Sequence, residues 1–304
     1  MAAKFTHEIK TVRGVNTHHI TWKNDALNKH VYEKILHWVT KSRDYSALTP
    51  ERATDFCAFL KILNKQYNTN VSLDQALSVR NIILKHKLIK NYSRMNIQIA
   101  RIAGKYEGGD SILSLSNRYD FPPLNLLRGI FIYRGIDKVK TYSIFANKTD
   151  PSTLLTGRDL QQYLIAEKND AESTFNQRRV TKVAFENEDR VVKFFKSIGI
   201  NVITQDDLAA EQKAEFGRAV LTPDLLFTEP VYINNEIVHW IDYKDYIGTE
   251  VRFLYSSNIA QAAKYAKKWG PGALCYHRAY VEGLTIPDAI LLDARSLPCE
   301  LLAM

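Results

Sequence analysis

The fold is decided by one run of sequence, Leu221-Thr222-Pro223-Asp224-Leu225-Leu226-Phe227-Thr228-Glu229-Pro230-Val231-Tyr232-Ile233-Asn234-Asn235-Glu236-Ile237-Val238-His239-Trp240-Ile241-Asp242-Tyr243-Lys244. Two β-rich stretches, Leu225–Ile233 and Glu236–Tyr243, flank Asn234-Asn235. Asparagine tolerates the positive φ of a tight hairpin turn, so the pair reads as a hairpin. Side chains alternate along a strand. Val238, Trp240, Asp242 and Lys244 are therefore expected on one face, and Ile237, His239, Ile241 and Tyr243 on the other. Both faces are largely apolar, which marks a central, covered strand. A carboxylate and a lysine on one face of such a strand are costly unless paired or bound to a metal. The hairpin also sets the start of its first strand beside the end of its second, within reach of a metal shared by Asp224 and Asp242.

Outward from this run, Glu186–Ser197 has the period of an amphipathic helix, with Gly199 as its cap. Glu188 falls on the same stripe as Phe185, Val192 and Phe195, whereas Glu186 stands four residues before Arg190 in a solvated pairing. Ile200–Thr204, Ala273–Val281 and Ala289–Leu292 read as strands, and Ser257–Trp269 as a helix closed by Gly270-Pro271-Gly272. The order helix, three strands, helix, strand, strand is that of an α/β layered domain.

The first half reads as helical. Leu27, Val31, Ile35 and Trp38 recur at helical spacing, as do Phe56, Leu60, Leu63 and Tyr67 after Thr49-Pro50. Ser72 and Gln75 form a capping box ahead of the stripe Leu73, Leu77, Leu84, Leu88. Ser93–Lys105, Asp110–Tyr119 and Leu124–Tyr133 are shorter helix candidates. Polar residues around Asp150-Pro151 place a boundary between Thr149 and Glu172. The expectation is an all-α domain over residues 1–165 and an α/β domain over 166–304.

Charge separates the same halves. The 304 residues hold 41 Lys+Arg against 33 Asp+Glu, a formal +8. Residues 1–165 carry 25 basic and 13 acidic residues, and the remainder 16 and 20. A basic module beside a carboxylate-rich one suggests binding of a large anion, nucleic acid being the commonest, with a solvated basic surface as the plain alternative. Lys85, Lys87, Lys90, Arg94, Arg101 and Lys105 are the densest basic stretch, placed to track phosphates. Asp110–Tyr119 followed by Pro123–Tyr133 has the spacing of a helix-turn-helix with Arg128 and Arg134 toward DNA, although two ordinary packed helices read alike.

Cys57, Cys275 and Cys299 are far apart and odd in number, so neither a disulfide framework nor a C-x-x-C zinc site is expected. His18-His19 lack partners at ligand spacing and read as solvated or capping residues, and His239 as a core histidine. There is no P-loop, G-x-G-x-x-G or G-x-S-x-G, so no small-molecule cofactor is expected. Neither a membrane span nor a secretory leader is evident, and an intracellular protein is expected.

Thr222-Pro223-Asp224-Leu225-Leu226, Glu236 through Lys244 and Trp269-Gly270-Pro271-Gly272 together resemble the codanin-interacting nuclease family, within the PD-(D/E)xK nuclease superfamily. The resemblance covers about residues 180–285. It implies a restriction-endonuclease-like core and Mg²⁺- or Mn²⁺-dependent hydrolysis of DNA phosphodiesters. It further implies metal ligation by Asp224, Asp242, the Tyr243 carbonyl and Glu188, with Lys244 acting on the attacking water. Gln261 and Tyr265 match the Gln-x-x-x-Tyr of RecB-like superfamily members, where that pair shapes the site; a polar helix edge is the plainer reading. Animal members of the family carry Glu where this chain has Asp242. A nuclear or cytoplasmic location is implied, as is a rival role: a catalytically weak adaptor that binds nucleic acid or a codanin-like protein.

Overall fold

The computed structural model describes residues 5–12, 14–41, 45, 48–171 and 187–297. The chain forms two compact units, one of residues 1–33, 67–78 and 183–304 and the other of residues 34–66 and 79–182. No helix among the described residues is long and apolar enough to cross a membrane.

The first unit is built on a mixed sheet whose strands are β1 (Phe5–Val12), β2 (Val15–Trp22), β3 (Val202–Thr204), β4 (Leu225–Ile233), β5 (Glu236–Lys244), β6 (Gly272–Tyr276) and β7 (Ala289–Asp293), in spatial order β1-β2-β4-β5-β6-β7. β3 shares an edge of β4 with β2: β3 pairs antiparallel with Leu225–Phe227, β2 parallel with Val231–Ile233. The expected hairpin forms, with Asn234 and Asn235 both at positive φ. The expectation of an all-α first half is corrected here. Phe5–Trp22 is a β-hairpin completing the sheet, and a cut at residue 165 would strip β1 and β2 from β4. Its β-branched and aromatic residues at alternating positions, ending on the buried Ile20 and Trp22, favour strand over helix. His18 is likewise not solvated. It is buried between Glu229, 2.7 Å from its Nε2, and His7, 3.0 Å from its Nδ1, while His19 stacks on Tyr232. Those partners are remote in sequence, so spacing does not show them.

A helix over 187–197, here α8, lies on one face of the sheet, packing Val191, Phe194 and Phe195 against Trp22, Ile241 and Tyr243. On the other face α9 (Gln205–Phe216) and α10 (Arg252–Trp269) bring Leu208, Ala262 and Tyr265 against Trp240, Leu274 and Leu291. The alternation expected along β5 holds for Trp240, Asp242 and Lys244, but Val238 packs with Ile241 and Tyr243. The β4–β5 register shifts between Leu226 and Val231, a stretch that contains Pro230, which has no N–H to donate.

Gly270-Pro271-Gly272 locks α10 to β5. Trp240 Nε1 donates to Gly270 O at 2.9 Å, and His239 N donates to Pro271 O at 2.9 Å. At Gly270, φ is +93 with the His239 ring alongside, and a Cβ at Gly272 would lie 2.2 Å from the Trp240 indole.

The second unit is helical. α2 (Pro50–Tyr67) begins at the expected Pro50, and Trp38 of α1 (Lys29–Thr40) stacks on its Phe56 at 4.0 Å. α3 (Leu73–Glu107) is one continuous helix where the sequence suggests two, opened by the Ser72–Gln75 capping box. α4 (Ile112–Tyr119), α5 (Pro123–Tyr133), α6 (Lys138–Phe145) and α7 (Gly157–Lys168) pack with α3 around Ile102, Leu115, Leu127, Phe131 and Tyr163. The buried Asp170 carboxylate accepts from Leu124 N at 3.0 Å, satisfying the α5 N-terminus. Cys275 is buried, and Cys57 partly exposed. Cys299, Phe185 and Glu186 lie outside the described residues.

Gly272→Ala should lower stability by at least ~1–3 kcal/mol through overpacking against Trp240. The same methyl at Gly104 of α3 meets nothing within 4 Å. It should stabilise its helix by ~0.5–1 kcal/mol, both read by urea titration.

Candidate active site

β4 begins just after Asp224 and β5 ends at Lys244, and Leu225 faces Ile241 across the ladder. Asp224 is thereby brought beside the last residues of β5. Its Oδ2 accepts from Tyr243 N at 2.5 Å, and its backbone carbonyl accepts from Gln205 N at 3.2 Å. Upstream, buried Gln212 of α9 accepts from Val220 N and Leu221 N at 2.7 and 2.8 Å, fixing the approach to Thr222-Pro223.

Asp242 is only 3% exposed. Its Oδ2 faces the Lys244 ammonium in an ion pair and accepts no other hydrogen bond among the described residues. Gln261 closes the set: its Oε1 accepts from Lys244 Nζ at 2.8 Å, and its Nε2 donates to Asp242 Oδ1 and to Tyr265 OH, both at 3.0 Å. Tyr265 OH reaches Asp242 Oδ1 at 3.4 Å. Four side chains from β5 and α10 thus hold one another in a mostly buried cluster. Truncating one member of such a cluster leaves its partners buried and unpaired, a cost above the net worth of the bonds.

Glu188 sits at the margin of α8, not on its buried stripe, which consists of Asn187, Val191, Phe194 and Phe195. Its surroundings still connect it to the cluster. Burial first, then the Asp242 charge, raises the Glu188 carboxyl above the usual range, with Lys244 pulling back. Burial, then Asp242, pushes Asp224 up to about 8, opposed by the Tyr243 N–H and Lys244 and assisted by Glu188. Burial draws the Lys244 ammonium down, but Asp242, Tyr246 and Asp224 outweigh it and its pKa rises. Carboxylates that raise one another in this way gain from a nearby cation.

The donor chemistry suits a hard divalent ion. Asp224, Asp242 and Glu188 offer only oxygen, which favours Mg²⁺ or Mn²⁺ over zinc. Among the described residues, no three His, Cys, Asp or Glu side chains are already gathered into a metal cage.

Sequence reasoning missed the supporting layer. Asn258 donates to Tyr276 OH at 3.0 Å and accepts from Tyr246 OH at 2.9 Å, under the cluster. It precedes Gln261 by three residues and Tyr265 by seven, a helical-face spacing that would have found it. Arg278 binds Asp245 Oδ1 at 2.9 Å and Asp74 at 2.7 Å, steadying the chain just beyond Lys244. No spacing links those three.

Thr222-Pro223-Asp224 lies within the stretch of this chain that is similar to a known family. Residues 157–295 match a family described as a protein of unknown function with a TPD sequence motif. The chain is also similar to uncharacterized protein L539 of Acanthamoeba polyphaga mimivirus, 28% identical over 108 residues. That stretch is 34% of this chain and 38% of the viral protein, so the chain spans well under half of that relative's length. No solved structure matches.

The TPD motif accounts for one strand end; the basic residues lie in the helical unit. At 100° per residue, Lys87, Lys90, Arg94, Arg101 and Lys105 fall on one side of α3 and Lys85 on the opposite side. Lys87 pairs with Asp120 at 3.5 Å. Arg134 is exposed, and it already pairs with Asp159 at 2.9 Å and Glu107 at 3.6 Å. Arg128 donates to Asn125 Oδ1 at 2.7 Å and lies 5.0 Å over the Tyr142 ring. For the helix-turn-helix expectation, α5 is mostly buried, and its accessible Asn125, Arg128 and Ile132 line a recess together with residues of α3 and α6.

Between about pH 4 and pH 8, folded Asp224 keeps a proton that the unfolded chain, with its carboxyl near ~3.9, has released. Stability of the metal-free protein should therefore fall as pH rises through that window. Asp224→Asn should flatten the dependence, as thermal melts in EDTA from pH 5 to 8.5 would show.

Proposed function

We propose that the sheet unit is a metal-dependent phosphodiesterase with a restriction-endonuclease-like PD-(D/E)xK core, cutting DNA that the basic helical unit helps to hold. The observation that carries this reading is the closed set Asp242, Lys244, Gln261 and Tyr265, with Asp224 hydrogen-bonded to the Tyr243 N–H at the same strand end. A packing role alone does not call for an ammonium and several carboxylates at one mostly buried place, because each costs desolvation.

Asp224 and Asp242 would hold Mg²⁺ or Mn²⁺, with Glu188 and the Tyr243 carbonyl contributing. When bound, the ion would polarise a phosphoryl oxygen and acidify water. Lys244 remains a charged donor because Asp242 sustains its proton, so it can position a water and offset charge developing on the phosphate. Gln261 fixes the direction of that ammonium by accepting from Nζ while donating to Asp242. Asp242 is the shorter acid at a position where Glu also serves in the resembling family. Its contact with Lys244 is direct nonetheless. The helical unit carries 24 basic against 12 acidic residues, which supplies sequence-independent attraction to phosphate backbones.

Mg²⁺ or Mn²⁺ should raise the melting temperature, and Asp224→Asn should remove that rise while leaving the metal-free protein folded. Identical melts with and without metal would count against the site. In single-turnover cleavage of duplex, nicked, flap and junction DNA, Lys244→Ala should slow the reaction ~10²–10³-fold with little change in binding. Lys244→Arg should not restore the rate, since a planar guanidinium does not replace a compact ammonium. Cleavage undiminished in Lys244→Ala would reject the assignment.

A further inference from the structure

A recess of about 250 Å³ opens on the helical unit between α3, α5 and α6. Its floor is Met95, Ile99 and Gly129, and its rim carries Tyr92, Tyr133 and Tyr142, which are 45%, 54% and 41% exposed. Three tyrosines left in water around one apolar floor are unusual for a surface that only needs to be soluble. Asn96 and Asn125 add amide donors and acceptors at the same opening, and Arg128 and Lys138 add positive charge. No lining residue is acidic, and the unit around it is +12 from its 24 basic and 12 acidic residues. Arg128 is already oriented, its guanidinium hydrogen-bonded to Asn125 and set over the Tyr142 ring.

We infer that this recess receives an unstacked base of single-stranded nucleic acid. A base within a duplex has its faces covered by its neighbours and only its edges in the grooves. The recess, walled by α3 and α6, admits a flat group from above and cannot follow a groove. Its volume lies below the roughly 300 Å³ at which drug-sized pockets begin, which suits a single base better than a larger ligand. Aromatic faces with an arginine plane stack on any base, and amides reach its hydrogen-bonding edge. A protein partner would meet the same tyrosines, but the lack of acidic lining residues and the net charge of the unit favour a polyanion. The inference deepens the proposed function, since it makes substrates with unpaired bases the preferred class, yet it does not depend on cleavage.

The test is fluorescence anisotropy with the full chain in EDTA, comparing a short labelled oligothymidylate with a duplex of equal length over a salt series. Tighter binding of the single strand is expected. Tyr92→Ala and Tyr142→Ala should each weaken it by about 5- to 100-fold and leave the salt slope unchanged, because a neutral stacking contact is lost and no phosphate contact is. Both residues are exposed, so melting temperatures should hold, confirming folded variants. Equal affinity for single strand and duplex would overturn the inference, as would tyrosine variants that bind the single strand as the unmutated chain does. Loss of a bound protein in those variants with nucleic-acid affinity intact would also overturn it, assigning the recess to a protein partner. Metal-dependent cleavage with no single-strand preference would leave the proposed function standing and remove only this inference.

Discussion

A carboxylate and an ammonium two residues apart on one face of a covered strand set the terms for everything near them. Asp242 and Lys244 cannot turn to water, so the structure supplies partners from α10, and Gln261 spans both charges with one amide. That arrangement fixes the rotation of α10, because Gln261 and Tyr265 must face β5 together. The C-terminus of α10 is fixed just as firmly where Trp240 bonds to Gly270 and leaves no room for a side chain at Gly272. Chemistry and packing are thus joined through one strand: Trp240 locks the helix, and Asp242 and Lys244 use the alignment.

The strongest signals in the sequence were local ones. Asn234-Asn235 and the apolar runs around it specify the hairpin. The alternation along β5 puts Asp242 and Lys244 on one face, because period 2 is a property of the backbone. Glu188, Gln261 and Tyr265 could be placed on helices by their spacing. What is not legible locally depends on distant partners. The strands Phe5–Val12 and Val15–Trp22 lack a strong turn signal, and the second of them joins the sheet by pairing with β4, some two hundred residues on. The buried state of His18 rests on Glu229, 211 positions away. α9 was a different kind of miss. Its Thr204–Asp207 capping box was readable, but a sequence so rich in Asp, Gln and Ala shows little apolar period.

The basic residues show how little a linear count says about geometry. Lys85 to Lys105 form one dense stretch in sequence, yet α3 turns Lys85 away from the side that carries the other five. Lys87 and Arg134 are committed to carboxylates of their own unit. Net charge survives this redistribution and specificity does not. Whatever selects among polyanions lies in the neutral aromatic and amide groups, which composition alone would pass over.

The sheet has a further consequence for the order of folding. β2 pairs with β4 through His18 and Val231, more than two hundred positions apart, whereas α4 to α7 make their contacts among near neighbours in the chain. Closing a loop of that size before any contact rewards it is entropically slow, so the helices should form early and the sheet late. Until β4 is available, β1 and β2 form a two-stranded ribbon with an unsatisfied edge, marginal by itself in water and open to pairing with another chain. During synthesis the N-terminal hairpin must wait for the last third of the protein, which makes it the segment most dependent on protection from aggregation.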